Sequence, residues 1–213
     1  MEDLVDLIPG HFLIVGPTAS GKSQLVVEAL RGPFRKKFNI VVLICPTYAN
    51  NKTYEGFAHK DPNFLVFAPN NSAGEIDTIL QECSIAFENY GQVLLILDDC
   101  ACSDDVKKRH SSTLLELAFS GRHRGFSVWL LTQQYTSVAK AFRENVASTI
   151  TFYSPSDIDA KMLWDNYGGD TSKEDRQQLQ TLLKNNLHAR LCWRLRFPFT
   201  VSLEIPPSRC FFK

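Results

Sequence analysis

Short runs of Val, Ile, Leu and Phe, each bounded by turn-forming residues, recur along the chain at Phe12–Val15, Ile40–Ile44, Phe64–Phe67, Val93–Leu97, 128–131 and 149–152. Runs without polar alternation suit strands buried on both faces. Between several of them the spacing changes to a helical one: Lys22–Arg31, stopped by Gly32-Pro33; 73–89; Thr113–Ser120, opened by a Thr113-x-x-Glu116 capping box; and 138–144. This alternation predicts an α/β fold with a mainly parallel sheet and helices on both faces.

Past residue 152 the texture changes to a helix at 157–166, a Gly168-Gly169 break, a charged helix at 172–184, and closing strands near 189–197 and 200–205. No repeat, low-complexity tract or flexible linker interrupts the chain, so residues 1–213 read as one domain, with a core at about 11–169 and a helix-and-strand extension at about 170–213. The polar stretch 47–61 reads as an irregular loop beside a ligand or a partner.

Composition adds limits. The 213 residues are 44% hydrophobic and 22% charged, with 23 basic and 23 acidic residues, so any contact with nucleic acid must use a local patch. The six cysteines lack the paired spacing of a zinc ribbon or a disulfide framework, and Cys100-x-Cys102 is the one close pair. Reduced, mostly buried thiols are expected. The start Met1-Glu2-Asp3-Leu4 is acidic and unlike a targeting peptide, and no apolar run is long enough to span a bilayer; a soluble, intracellular protein is expected.

The chemistry concentrates in residues 16–23: Gly16, Pro17, Thr18, Ala19, Ser20, Gly21, Lys22 and Ser23 form a complete G-x-x-x-x-G-K-[ST] loop between an apolar run and a helical pattern. A triphosphate needs a cradle of inward-turned backbone N–H groups, which glycines at positions 16 and 21 permit. The following helix offers its positive end, Lys22 can reach the β and γ phosphates, and the Ser23 hydroxyl is a natural Mg²⁺ ligand. The cofactors expected are therefore ATP and Mg²⁺.

Val93–Leu97 ends in Asp98-Asp99, a Walker B pattern. Asp98 is assigned to Mg²⁺, opposite Ser23, and Asp99 to the attacking water as general base. The next apolar run ends in Thr132-Gln133, and Gln133 is placed to sense the γ-phosphate. Since a full strand and helix separate the second strand from the Asp98 strand, the order suits P-loop NTPases of the RecA-like type with an added central strand. Ahead of the Gln133 strand stands Gly121-Arg122-His123-Arg124-Gly125, whose arginines can stabilise transition-state charge in a neighbouring subunit, Arg122 first and Arg124 second. Two solvated loop arginines is the other reading.

On these residues the chain resembles the FtsK–HerA superfamily of DNA-pumping ATPases. Gly121-Arg122-x-x-Gly125, the apolar strand and Thr132-Gln133 follow that family's pattern without a gap, and the order continues through Asn145–Phe152, Ser156–Lys161 and Gly168-Gly169, so the likeness covers about 12–169. The Asp98-Asp99 pair, the Gly-Arg-His sequence and the small size are most similar to the genome-packaging ATPases of large double-stranded DNA viruses, virophages and Polinton-type elements. The resemblance implies a homo-oligomeric ring, hexameric or pentameric, that hydrolyses ATP to drive duplex DNA into a preformed capsid. Capsid portal or vertex proteins would be further partners, and the host cytoplasm or viral factory the setting. It also implies the roles given above for Lys22, Ser23, Asp98, Asp99 and Gln133, with Arg122 acting in trans.

A ring motor grips phosphates without reading bases. Lys107-Lys108-Arg109 and Arg35-Lys36-Lys37 could do so, or could be solvated faces; 190–197 alternates basic and apolar residues and reads as a half-buried edge strand with Arg194 and Arg196 on a basic outer side. Trp129 reads as core. Two other functions fit a phosphate loop: a nucleoside or nucleotide kinase, which needs an arginine-rich lid not evident here, and a nucleotide-switched scaffold protein.

Overall fold

A computed structural model describes residues 1–58, 60–70, 72–100, 103–107, 112–169 and 171–206. Among these residues eight strands form one sheet: β1 (Phe12–Val15), β2 (Ile40–Ile44), β3 (Phe64–Phe67), β4 (Val93–Leu97), β5 (Phe126–Thr132), β6 (Ser148–Phe152), β7 (Arg190–Arg194) and β8 (Thr200–Glu204). Their order is β3-β2-β4-β5-β1-β6-β7-β8. The first six pair in parallel, whereas β7 and β8 are antiparallel additions. A strand thus stands between β1 and β4, as the added-strand order predicts.

The apolar runs are strands because both sheet faces are covered. Leu13, Val15, Val42, Leu95, Leu97, Val128 and Leu130 face one core, while Phe12, Ile14, Leu43, Leu94, Ile96, Trp129 and Leu131 face the other. Helix α1 (Lys22–Arg31) covers the second face through Leu25, Val26 and Leu30. On the first face lie Ile76 and Leu80 of a helix at Glu75–Ala86, Leu114 and Leu117 of one at Thr113–Ser120, and Phe142 of one at Lys140–Glu144. Trp129 is fully buried and stacked on Phe12, with ring centroids 5.2 Å apart. A smaller cluster joins Trp164 of a helix at Asp157–Tyr167 and Leu183 of one at Lys173–Asn185 to Leu191 and Trp193 of β7.

Three local expectations need correction. The helix at Thr113–Ser120 is capped one residue earlier than the capping box implies: Ser112 Oγ accepts from Leu115 N, and the Thr113 N–H is taken by Asp77 Oδ1 at 2.7 Å. Strand β7 is interior, because β8 covers its outer edge. Arg194 accordingly has no basic outer side; it is buried in a two-point contact with Asp6 (2.6 Å on each arm), and Arg190 pairs with Glu204 at 2.8 Å. The stretch 47–61 is built around a buried residue: two 3-10 turns and a short helix at Glu55–Ala58 place Tyr54 wholly inside the core. Cys45, Cys83, Cys100 and Cys192 are buried free thiols. Cys102, Cys210, Lys108, Arg109 and the side chain of Lys107 lie outside the described residues. Among the described residues, no helix is long and apolar enough to cross a membrane.

Candidate nucleotide site

The carboxyl ends of β1, β4 and β5 lie on one edge of the sheet, and the loop 16–21 leaves β1 there. Its Gly16 N–H donates to Thr132 O at the end of β5 (3.1 Å), tying the loop to the Gln133 strand. A Cβ at Gly16 would come within 2.6 Å of Ser20 Oγ and 2.8 Å of Phe152 Cβ, so only glycine lets the chain pass. Gly21 has φ 101° and Ala19 φ 63°, left-handed geometry that turns the loop inward. Among the described residues no side chain caps the N-terminus of α1, so its first N–H groups, which have no partner within the helix, remain available at the loop.

The polar groups of this loop are arranged for an anion. Ser20 Oγ is buried and has no hydrogen-bond partner among the described residues. The Lys22 ammonium folds back to donate to Gly16 O (2.7 Å) and Pro17 O (3.0 Å). Burial lowers its pKa below the ordinary lysine value, while Asp98 and Asp99 act in the opposite direction. A buried cation resting on carbonyls and an uncapped helix end fit a triphosphate.

Asp98 is 1% exposed. Its Oδ2 accepts from Ser23 Oγ at 2.6 Å and from Tyr54 Oη at 2.8 Å. Burial raises its pKa; the two hydroxyl donors and Lys22 counter this, whereas Asp99 adds to it. A hydroxyl and a carboxylate in contact beside a phosphate loop are a donor set that suits Mg²⁺. Asp99 diverges from its neighbour because it stands in left-handed geometry, φ 57°, and its Oδ2 accepts from Thr47 Oγ1 at 2.8 Å. Sequence reasoning singled out neither Tyr54 nor Thr47. Their signal was weak, a tyrosine and a threonine in a polar stretch after β2, the strand next to β4.

Gln133 is exposed immediately beyond β5, on the edge that carries Gly16 and Asp98. The arginines lie elsewhere. Arg122 and Arg124 belong to the 3-10 turn Gly121–Arg124 at the other end of β5, a strand about 20 Å long, so neither reaches the loop of its own chain. Arg122 is exposed and makes no ion pair among the described residues. Arg124 is engaged within its own chain by Ser84 O and Oγ (both 2.9 Å), Glu88 (3.1 Å) and Glu116 (3.5 Å). The other basic run, Arg35-Lys36-Lys37, is exposed between α1 and β2, also away from the loop.

Comparisons with known proteins agree with this architecture. The crystal structure of B204, the DNA-packaging ATPase from Sulfolobus turreted icosahedral virus, superposes with a TM-score of 0.71 at 17% identity, covering 93% of this chain and 98% of that one. B204 from Sulfolobus turreted icosahedral virus 2 in complex with ATP-γS gives 0.70 at 18% identity over 93% and 98%. The pCW3 conjugation coupling protein TcpA gives 0.57 at 15% identity, over 93% of this chain and 60% of that one. At such identities the likeness is one of fold, that of P-loop NTPases. No curated protein sequence matches. A family model described as Poxvirus A32 protein matches residues 5–189, and the chain belongs to that family.

Proposed function

We propose that this chain is an ATP-hydrolysing motor that translocates double-stranded DNA, packaging a viral genome into a preformed capsid. The observation that carries the reading is the meeting of Lys22, Ser23, Asp98 and Asp99 at one edge of the sheet, in a chain of the poxvirus A32 family whose fold is shared with B204, a DNA-packaging ATPase.

The loop N–H groups and Lys22 hold the β and γ phosphates of ATP. Ser23 and Asp98 hold Mg²⁺, which when bound neutralises phosphate charge. Asp99, turned away from Asp98, orients the lytic water and accepts its proton, and Gln133 contacts the γ-phosphate or that water. As an aspartate, Asp99 reaches the water with one methylene fewer than a glutamate. Arg122, on the far edge, serves the nucleotide of a neighbouring copy, which makes a closed homo-oligomeric ring of six or five the working form. Each copy contributes one ATPase domain spanning 1–213, and capsid vertex or portal proteins are its further partners.

The test is ATP hydrolysis by the purified protein with and without duplex DNA. Turnover that rises with duplex and disappears in Lys22→Ala supports the motor. Phosphate transfer to a nucleoside without duplex stimulation would show a kinase, and nucleotide binding without hydrolysis under any condition a scaffold.

A further inference from the structure

The sheet edge opposite the phosphate loop gathers a second arginine. Strand β7 runs antiparallel to β6, so Arg194 pairs in register with Ser148 and the chain leaves β7 at the edge where β1, β5 and β6 begin. Leu195 N donates to Ala147 O there, and Ala147 N donates to His11 O. The next residue, Arg196, is half-buried and donates from Nη1 to Pro9 O at 3.4 Å. Among the described residues no carboxylate pairs with Arg196 or with Arg122. Arg196 is held below the ordinary arginine value first by burial and then by the like charge of Arg122, and both also depress the buried His11 beside them. Among the described residues, two cations thus share this edge without a carboxylate partner, whereas Arg190, Arg194 and Arg124 all have one.

Exposed aromatics follow Arg196 directly in the chain. Phe197 is 85% exposed and Phe199 73% exposed, at the tip of the hairpin that joins β7 to β8 immediately after Arg196. Large exposed aromatics suit a protein surface that becomes covered, not a groove that tracks solvated duplex backbone.

We propose that Arg196 and Arg122 together form a two-guanidinium site for the polyphosphate of the nucleotide bound to a second copy of this chain, with Phe197 and Phe199 packing against that copy. The inference rests on the trans role of Arg122 and adds to it a second arginine and a contact surface. Two planar forks divide the charge of adjacent phosphate groups between them, and their mutual repulsion in the free chain is relieved when the anion arrives.

The experiment mixes variants in the presence of duplex DNA. Arg196→Ala alone is expected to lower ATP turnover about a hundredfold while keeping wild-type nucleotide affinity at dilutions where the protein is monomeric, since its own phosphate loop is intact. Adding inactive Lys22→Ala subunits, which carry a good Arg196, is expected to raise turnover above the sum of the two separate samples. Wild-type turnover in Arg196→Ala, or no rescue by Lys22→Ala, overturns the inference. So does a variant that loses duplex affinity alone and keeps its duplex-free hydrolysis, which would make Arg196 a DNA contact. The same mixing with Arg122→Ala separates the two readings: rescue for Arg122→Ala but not Arg196→Ala removes only the second arginine, whereas no rescue for either removes the trans arrangement as a whole. A Phe197→Ser, Phe199→Ser double variant is expected to sediment as a smaller species with unchanged nucleotide affinity. Unchanged association would take the hairpin tip out of the interface.

Discussion

The Ser23 hydroxyl donates to Asp98 Oδ2 across 2.6 Å, although 75 residues separate them in the chain and β5 lies between β1, which leads into Ser23's helix, and β4, which ends just before Asp98. The contact spans the sheet because α1 starts above it, and it brings a neutral donor against a buried carboxylate at the place where a divalent cation would take both oxygens. Removing either oxygen therefore has a divided effect. Ser23→Ala and Asp98→Asn are each expected to raise the Mg²⁺ concentration that half-saturates nucleotide binding by about tenfold or more, with metal-free nucleotide affinity little changed. Lys22→Ala is expected to lose nucleotide affinity with or without the metal. Equal Mg²⁺ titrations for Asp98→Asn and wild type would deny Asp98 its role.

Asp99 shares the strand end with Asp98 but not its surroundings, being turned by left-handed geometry toward Thr47. Its expected contribution lies in proton transfer and not in holding nucleotide. Asp99→Asn keeps the shape and removes the basicity, so ATP affinity should stay within a few-fold of wild type while turnover falls by about 10² to 10⁴. Single-turnover hydrolysis together with equilibrium binding of a labelled ATP analogue separates the two. Undiminished hydrolysis would place the base elsewhere.

Tyr54 is the residue that the chain pattern concealed. The strands could be read directly because parallel strands buried on both faces appear as unbroken apolar runs, and the phosphate loop and Asp98-Asp99 are contiguous motifs whose chemistry is local. Tyr54 carries no such mark: it sits in a polar stretch, and its partner Asp98 is 44 residues away. Both closing strands are legible, but the interior place of β7 is not, for a similar reason: its alternation describes one strand and says nothing of β8 covering it. Ser112 and Thr113 offer the same hydroxyl to a helix start, and only the prior use of the Thr113 N–H by Asp77 selects between them. Long-range pairing decided all three.

Because Tyr54 Oη is buried and donates to an almost fully buried carboxylate, Tyr54→Phe leaves Asp98 with Ser23 as its one hydroxyl donor and without loss of packing volume. A hydrogen bond to a charged group contributes about 1.5 to 3 kcal/mol, so the nucleotide-free protein should lose stability of that order in urea unfolding. The Mg²⁺ titration should also shift upward, because Asp98 is less firmly oriented. A loss of stability with an unmoved Mg²⁺ titration would reduce Tyr54 to a core residue.

His11 sets a pH dependence that is independent of catalysis. It is fully buried between β1 and β5, its Nδ1 accepts the Val128 N–H at 3.1 Å, and burial together with the charges of Arg196 and Arg122 lowers its pKa from 6.5 to about 4. The folded chain keeps this imidazole neutral, whereas the unfolded chain protonates it below about 6.5. Between those values the unfolded state binds more protons, so the contribution to stability is complete above pH 6.5 and is lost progressively as pH falls toward 4, reaching about 3 kcal/mol. His11→Gln retains an acceptor for Val128 and cannot take the proton. Urea midpoints measured from pH 7 down to pH 4.5 should fall less steeply for His11→Gln than for wild type, by about one proton's worth of slope. Parallel curves would mean that His11 is not held neutral by the fold.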